Sequence, residues 1–388
     1  IGRGIQYPFV KPKAGEYHEN WDEKLLEHWK LVVTSLINYH YSNQQSPLRQ
    51  ITTEFITPTD YGGGFKYSVF ENNVACAKWI KKSIKESNII IKIQKPEPGT
   101  IKEMKTGTIL MGLLSPKKGS SENVLYNKKK ISAFALENIP RITRAQDKDV
   151  LSSQSNLAGY KAVLDAAHEY SKSFPMMMTA AGTVTPAKVL VLGAGVAGLQ
   201  SIATVKRLGA DVTGYDIRLA AGEEIRSLGA KFISDEIVQD SATDSGYAKE
   251  QSKENQKSQL EFLKEYIIKA DAVISTAAIP GRPAPTLIEK KTIQLMKPGS
   301  VIVDVAAPLG GNCECTKLGE MIILNNVKIF GPSNLPSEMA YDASTVYSKD
   351  IFSLMELLIK DKKIEMNLQD EIIDAMLVIE KGKKRIEE

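Results

Sequence analysis

Residues 188–200, "KVLVLGAGVAGLQ", constrain the fold more than any other stretch of the chain. An apolar strand leads into Gly193, and Gly195 and Gly198 follow at the spacing G-x-G-x-x-G before a helical pattern begins. In such a turn the first glycine permits the tight bend. The second lets a pyrophosphate approach the helix N-terminus, and the third lets the helix pack on the strand. Asp216 closes the next strand, at about the 20-residue spacing expected for an acid that binds a ribose. These features predict a dinucleotide-binding α/β domain.

The acid also indicates which dinucleotide is bound. A carboxylate at Asp216 accepts from the ribose hydroxyls and repels a 2′-phosphate, so the sequence favours NAD(H) over NADP(H). Arg218 is the opposing signal, because an arginine near this position can accept that phosphate. The neighbouring residues predicted to contact the cofactor are Ala194, Val196 and Ile217. The alternative is a tight glycine turn that holds no ligand.

Strand and helix patterns alternate in two stretches of the chain, which favours parallel α/β architecture. The first stretch has apolar runs at residues 89–93, 108–114 and 131–136. The second begins at residue 188 and has six strand patterns, the number found in a doubly wound nucleotide-binding domain. We therefore predict an α/β fold with two doubly wound, parallel-sheet, Rossmann-like domains and a cleft between them.

The domain boundaries follow from the breaks between these patterns. The first domain is predicted to comprise residues 1–150 and 336–388, with an atypical segment at 1–70. The second domain, 151–335, is predicted to bind NAD and to begin with a linker helix at 152–174, capped by Ser152 or Ser153. The C-terminal tail is expected to end in a charged helix that adds nothing further to the fold.

Composition excludes several classes of function. A formal net charge of +4 on 388 residues is too small to indicate a nucleic-acid partner. Three cysteines cannot build a disulfide framework, and Cys313-x-Cys315 lacks a second ligand pair, so no metal site is expected. No apolar run approaches the length of a membrane span.

The scarcity of histidine limits the chemistry. A dehydrogenase that oxidises an alcohol or amine needs a proton acceptor, usually His or Lys. Three of the four histidines lie in the first 40 residues, and His168 lies within a helical pattern. Lys95, just after a strand, is the only attractive substitute. Hydride transfer between two nicotinamides needs no base at all, and this composition permits that reaction without requiring it.

The segment 140–153, "PRITRAQDKDVLSS", allows two interpretations. It is either a polar loop followed by a helix cap or the wall of a pocket built for a charged ligand. Arg141 supplies a charge-assisted donor, and Gln146 can both donate and accept, while Asp149 and Ser152 can orient them.

Six runs carry a resemblance to a known family. They are "PRITRAQDKDVLSSQSNLAGYKAV", "FPMMMTAAGTVTPAKVLVLGAGVAGLQ", "SGYAKE", "TAAIPGRPAP", "MKPGSVIVDVAAPLGGNCE" and "NLQDEII". From about residue 88 to 376 the chain resembles the NAD(H)-binding component, domain I, of proton-translocating NAD(P) transhydrogenase. This resemblance implies a separate NADP(H)-binding component, a membrane proton-channel component and a homodimer. It implies a soluble peripheral location, on the cytoplasmic face of a bacterial inner membrane or the matrix face of the mitochondrial inner membrane.

The resemblance also implies residue roles. Arg141, Gln146, Asp149 and Ser152 match the loop that holds the nicotinamide, its ribose and nearby phosphate. Tyr247 matches a tyrosine that closes over bound nucleotide. The remaining matched positions, expected to contact the cofactor, are Gly246, Ala248, Ala277, Ala278 and Asn312.

Two other functions stay open at this point. Alanine dehydrogenase resembles this family in fold, but it carries a histidine after the strand that matches residues 108–114, where this chain has "LLSPKKG". A non-catalytic module that binds NADH is the other alternative. The N-terminal strand and basic, glycine-containing loop usual in the transhydrogenase family are not recognisable in the sequence of residues 1–70.

Overall fold

The structure, a computed structural model, describes residues 84–115, 121–234, 253–279, 282–360 and 363–385. The predicted atypical segment at 1–70 and the predicted lid residues Gly246, Tyr247 and Ala248 lie outside the described residues. The chain divides into two compact units. Unit 1 contains the described residues up to Leu151 and from Ala340 onward, and unit 2 is Ser152–Met339.

The elements are numbered along the described chain. The strands are β1 (Ile89–Gln94), β2 (Ile109–Leu113), β3 (Ser132–Ala135), β4 (Met177–Thr179), β5 (Gly182–Val184), β6 (Lys188–Leu192), β7 (Asp211–Tyr215), β8 (Lys231–Ile233), β9 (Ala272–Ser275), β10 (Val301–Asp304), β11 (Met321–Leu324), β12 (Val327–Phe330), β13 (Ile359–Lys360), β14 (Lys363–Ile364), β15 (Leu377–Glu380) and β16 (Lys383–Lys384). The α-helices are α1 (Pro98–Glu103), α2 (Ser121–Lys128), α3 (Val150–Glu169), α4 (Val196–Arg207), α5 (Ala221–Ser227), α6 (Lys253–Lys269), α7 (Lys290–Ile293), α8 (Ala340–Leu358) and α9 (Glu371–Met376). The 3₁₀ helices are Leu136–Asn138, Thr143–Lys148, Ala307–Leu309 and Leu335–Met339.

Unit 1 is built on a sheet with the strand order β1-β2-β3-β15-β16. Strands β1, β2 and β3 are parallel, whereas β15 runs antiparallel to β3. Successive residues alternate between two buried faces. Ile90 and Leu110 pack with α1 and α2, while Ile91 and Met111 pack with α8 and α9. Burial on both faces explains why these strands are predominantly apolar, with Lys92 of β1 as a charged exception.

The C-terminal tail corrects one expectation. The tail continues beyond helix α9 as a strand of the sheet. Leu377, Val378 and Ile379 are buried and form β15, which pairs with β3 in the unit 1 sheet. The apolar run is only a few residues long, so periodicity cannot distinguish a strand from a helix there.

Unit 2 is built on a seven-stranded sheet with the order β11-β12-β10-β9-β6-β7-β8. Its six parallel strands follow the order 3-2-1-4-5-6 counted from β6, which is the doubly wound Rossmann arrangement. The unit 1 sheet is mixed, because β15 runs antiparallel to β3. In the unit 2 sheet, β11 forms an antiparallel edge strand. The α/β fold class with parallel-strand sheets is confirmed.

The linker region differs from its prediction at both ends. Helix α3 begins at Val150, so Ser152 and Ser153 lie inside its first turn and neither caps it. It ends at Glu169 rather than near residue 174. The glycine- and proline-rich stretch that follows forms the two-stranded hairpin β4–β5. Asp149, whose backbone is not helical, separates α3 from the preceding 3₁₀ helix, Thr143–Lys148.

Candidate nucleotide-binding site

The glycine turn has the predicted geometry. Gly193 has a φ of +93°, a conformation that favours glycine, and its N–H donates to the carbonyl of Tyr215 at 2.8 Å. A Cβ atom on Gly198 would lie 1.8 Å from the carbonyl oxygen of Gly193. Glycine is therefore required at this position for α4 to pack against the end of β6.

The outer side of the turn is open. A Cβ atom built on Gly195 meets nothing within 4 Å, and Gly195 and Val196 are exposed. The first turn of the twelve-residue helix α4 carries no acidic side chain. The first N–H groups of a helix have no intrahelical partner and lie at the positive end of its dipole. The turn thus offers both the space and the charge that a pyrophosphate requires, so the residues present fit a dinucleotide.

Asp216 is held by its neighbours through both carboxylate oxygens. One oxygen accepts from the N–H of Ala194 at 2.7 Å and from Nη2 of Arg218 at 2.9 Å. The other accepts from the backbone N–H and the Nε of Arg218, both at 2.9 Å. This pairing raises the pKa of Arg218 above its ordinary value. Ile217, between them, packs against the apolar core of the sheet.

Asn312 joins two loops at the carboxyl ends of β9 and β10. Its side chain is fully buried, and its Nδ2 donates to the carbonyls of Ala277 at 2.8 Å and Pro285 at 2.7 Å. Its Oδ1 is buried and has no hydrogen-bond partner among the described residues. Ala278 is exposed. The position gives Asn312 a role in holding backbone, and its direct contact with a nucleotide stays a prediction.

Asp304 is a site residue that the sequence reasoning missed. It is fully buried at the end of β10. Its carboxylate accepts from four donors: Ser275 Oγ, Thr316 Oγ1 and the N–H groups of Ala306 and Cys313. These bonds fix the loop that carries Asn312. A single Asp closing an apolar strand was the only sequence signal.

The polar segment of unit 1 lies in and around the 3₁₀ helix Thr143–Lys148. Arg141 and Gln146 are exposed, and Asp149 is half-buried at the C-terminal end of this helix. Ser152 is half-buried and belongs to unit 2. The predicted residues of unit 1 therefore lie on, or within two residues of, one short helix.

The two candidate general bases that the structure describes, Lys95 and His168, are both exposed. Lys95 is exposed and its Nζ forms an ion pair with Glu122 at 3.0 Å. His168 is exposed on α3, and the other three histidines lie outside the described residues. Burial raises the pKa of the Cys313 thiol to about 11, so it is protonated at neutral pH.

Among the residues that the structure describes, no helix combines the length and apolar content needed to cross a membrane. No His, Cys, Asp and Glu side chains in the same ranges are grouped so as to hold a metal ion.

Comparison with known proteins gives the family. Residues 64–158 match the N-terminal domain of alanine dehydrogenase/PNT, and residues 162–387 match the C-terminal domain. An alpha-subunit chain of the NAD(P) transhydrogenase from Rhodospirillum rubrum is 46% identical over 310 residues, which cover 78% of this chain and 81% of that protein.

Solved structures agree with this assignment. The transhydrogenase from Sinorhizobium meliloti has a TM-score of 0.70 at 41% identity, covering 79% of this chain and 83% of that one. An L-alanine dehydrogenase has a TM-score of 0.64 at 20% identity, covering 79% of this chain and 80% of that one. The second likeness is one of fold alone. The chain belongs to the alanine dehydrogenase/PNT family, and within it resembles the alpha subunits of NAD(P) transhydrogenases.

Proposed function

We propose that this chain is the NAD(H)-binding component of a proton-translocating NAD(P) transhydrogenase. The observation that carries the proposal is the 46% identity to a transhydrogenase alpha chain over most of both proteins. The geometry supports it, because the glycine turn is open to a pyrophosphate and Lys95 is engaged by Glu122 rather than placed as a base.

In this role the chain's residues serve three parts of the site: the pyrophosphate and adenosine ribose, the nicotinamide, and the loops beside the glycine turn. The turn at Gly193–Gly198 and Asp216 hold the pyrophosphate and the adenosine ribose. Arg141 and Gln146 donate to the nicotinamide amide or the nearby phosphate. The residues that orient or enclose the ring are Asp149, Ser152, Gly246, Tyr247 and Ala248. Ala277, Ala278 and Asn312 shape the loops beside the turn.

The reaction balances without a proton. A hydride leaves the reduced nicotinamide of NADH and arrives at the oxidised nicotinamide of NADP⁺, which yields NAD⁺ and NADPH. No residue of this chain is therefore needed as a general base, and the side chains that position the ring contribute by orienting it for hydride transfer.

The proposal assigns partners. The NADP(H) is held by a separate component that docks on this chain, and a membrane component couples hydride transfer to proton movement. The chain acts as an enzyme only with these partners. It is a homodimer and a peripheral protein, on the cytoplasmic face of a bacterial inner membrane or the mitochondrial matrix face.

The test is a reconstituted transfer assay. This chain is mixed with a purified NADP(H)-binding component from a transhydrogenase, NADPH and an oxidised NAD analogue of shifted absorbance. We expect reduction of the analogue only when both proteins are present. Tight NADH binding without transfer would instead support a non-catalytic module. Consumption of NADH with ammonia and pyruvate by this chain alone would support an alanine dehydrogenase.

Three variants test the assigned positions. Arg141→Ala, Gln146→Asn and Tyr247→Phe should each slow hydride transfer about tenfold or more while changing NADH affinity less, since their contacts matter most at the reacting ring. Equal losses in rate and affinity would place these side chains away from the ring.

A further inference from the structure

The 3₁₀ helix Thr143–Lys148 has three distinct faces. Side chains three residues apart align in a 3₁₀ helix, so its six residues form three rows. The rows are Thr143 with Gln146, both exposed; Arg144 with Asp147, both hydrogen-bonded; and Ala145 with Lys148, both buried. Rotation of the helix about its axis thus decides where Gln146 points.

The hydrogen-bonded row is held by elements distant in sequence. Nη1 and Nη2 of Arg144 donate to the two carboxylate oxygens of Asp370 at 2.7 and 2.9 Å, across 226 positions. This ion pair lowers the pKa of Asp370. Asp147 accepts a hydrogen bond from Ser353 on α8. Two parallel hydrogen bonds define a plane, so the Arg144–Asp370 pair sets orientation as well as distance.

The buried row cannot set the rotation by itself. It consists of the methyl group of Ala145 and the stem of Lys148, whose Nζ turns back to the carbonyl of Arg144 at 3.3 Å and to Asp147 at 2.6 Å. These bonds stay within the 3₁₀ helix, so they do not tie its rotation to another element. The two flanking apolar residues, Ile142 and Val150, fix the ends of the segment rather than its middle.

We propose that Arg144 and Asp370 are positioning residues, which fix the rotation of the 3₁₀ helix Thr143–Lys148 and thereby aim Gln146 at the nicotinamide. This inference rests on the proposed function for the identity of the ligand. It assigns the segment around α9 a part in hydride transfer without any contact to the nucleotide.

Asp370→Asn tests the ion pair, and Asp374→Asn on the same helix is its matched control. Asp370 also caps α9, since its Oδ1 accepts from the N–H of Ile372 at 2.9 Å. Asparagine caps helices as well as aspartate does, so Asp370→Asn keeps the cap and removes the two-bond charged pair, while the longer contact of Arg144 Nη2 with Glu371 at 3.6 Å remains. Asp374, on the same helix, forms a comparable surface ion pair with Arg385 at 2.6 Å. Asp374→Asn therefore removes an ion pair from α9 without touching the 3₁₀ helix.

The first experiment compares rate with affinity in the reconstituted assay. Asp370→Asn and Arg144→Gln should each slow single-turnover hydride transfer about tenfold while NADH affinity changes less than about twofold, because misplacement of a positioning group weakens chemistry more than binding. The double variant should be no slower than either single one, and Arg144→Lys should recover less than half of the lost rate. Fully additive losses, equal loss of NADH affinity, or the same loss in Asp374→Asn would overturn the inference.

The second experiment needs no partner protein. Hydrogen exchange at the amide of Ala145, which donates to the carbonyl of Ile142 at 3.0 Å, should be faster in Asp370→Asn than in the wild type and unchanged in Asp374→Asn. Unchanged exchange in Asp370→Asn would refute the positioning role. If the wild-type chain fails to transfer hydride, the proposed function falls, and this exchange measurement still decides whether the pair holds the helix.

Discussion

Lys92 is a charged side chain inside a buried strand, and it gives the sharpest test of the energetics of unit 1. It lies on β1 with only 5% of its surface exposed. Burial lowers its pKa from 10.5 to about 8, partly offset by the nearby carboxylate of Glu97. The lysine is therefore protonated at pH 7 in a place that disfavours the charge.

Replacing Lys92 with methionine should stabilise the protein at neutral pH. The lowered pKa corresponds to about 3 kcal/mol, because each pH unit between the folded and unfolded values is worth about 1.4 kcal/mol. Methionine has nearly the same length and no charge to bury. We expect Lys92→Met to raise the free energy of unfolding at pH 7 by up to about 3 kcal/mol, with imperfect packing of the new side chain reducing the gain.

The direction of the pKa shift of Lys92 determines how the stability difference between the wild type and Lys92→Met changes with pH. Between pH 8 and 10.5 the unfolded chain holds a proton at Lys92 that the folded chain has released, so wild-type stability rises with pH relative to the variant. The advantage of Lys92→Met should therefore be full below pH 8 and vanish by about pH 10.5.

Urea unfolding followed by circular dichroism at several pH values measures this difference. The matched control is Lys95→Met, at the residue directly after β1. Lys95 is exposed, so this substitution should change the free energy of unfolding by no more than about 0.5 kcal/mol. A destabilised Lys92→Met at pH 7, or a gain that persists unchanged at pH 10.5, would show that the cost of burying this charge is not what limits stability.

Two further substitutions test the candidate site. Gly198→Ala should abolish measurable NADH binding in a fluorescence titration, because its Cβ would lie 1.8 Å from a backbone carbonyl and force the turn open; retained affinity would mean that the turn does not hold the nucleotide. Asp304→Asn should lower the free energy of unfolding by about 2 kcal/mol, because in either orientation the amide nitrogen would face a backbone N–H, of Ala306 or of Cys313, that can only donate. Calorimetry showing no change would mean that the loop does not depend on this carboxylate.

The elements that the sequence could predict are those whose patterns are local. The six parallel strands of unit 2 are apolar runs separated by helical patterns, and the glycine turn is dictated by backbone geometry at Gly193 and Gly198. The strands that were missed are short. The hairpin β4–β5 is exposed on both strands, and β15 is buried on both faces, so neither has the alternation that marks a strand.

Site residues that act through distant partners could not be predicted in the same way. Arg144 is an ordinary surface arginine until the fold brings Asp370 to it from 226 positions away. Asp304 is one acid among many until four donors from three segments converge on it. In each case the role depends on the partners that the fold brings close, and the residue alone does not indicate it.

Asp216 and Arg218, which give opposing signals in the sequence, are hydrogen-bonded to each other in the structure. A carboxylate accepts about four hydrogen bonds, and Asp216 already receives four, three of them from Arg218. The arginine is thus paired with the acid and does not stand ready for a 2′-phosphate, which would have to break the pair and then lie beside the carboxylate. A ribose hydroxyl would also have to displace the guanidinium, but it would then meet a hydrogen-bond acceptor and not a like charge, and the backbone donors of Ala194 and Arg218 would keep the acid in place. The pairing supports the proposal that this turn holds NAD(H), and in that proposal Arg218 belongs to the same arrangement as Asp216.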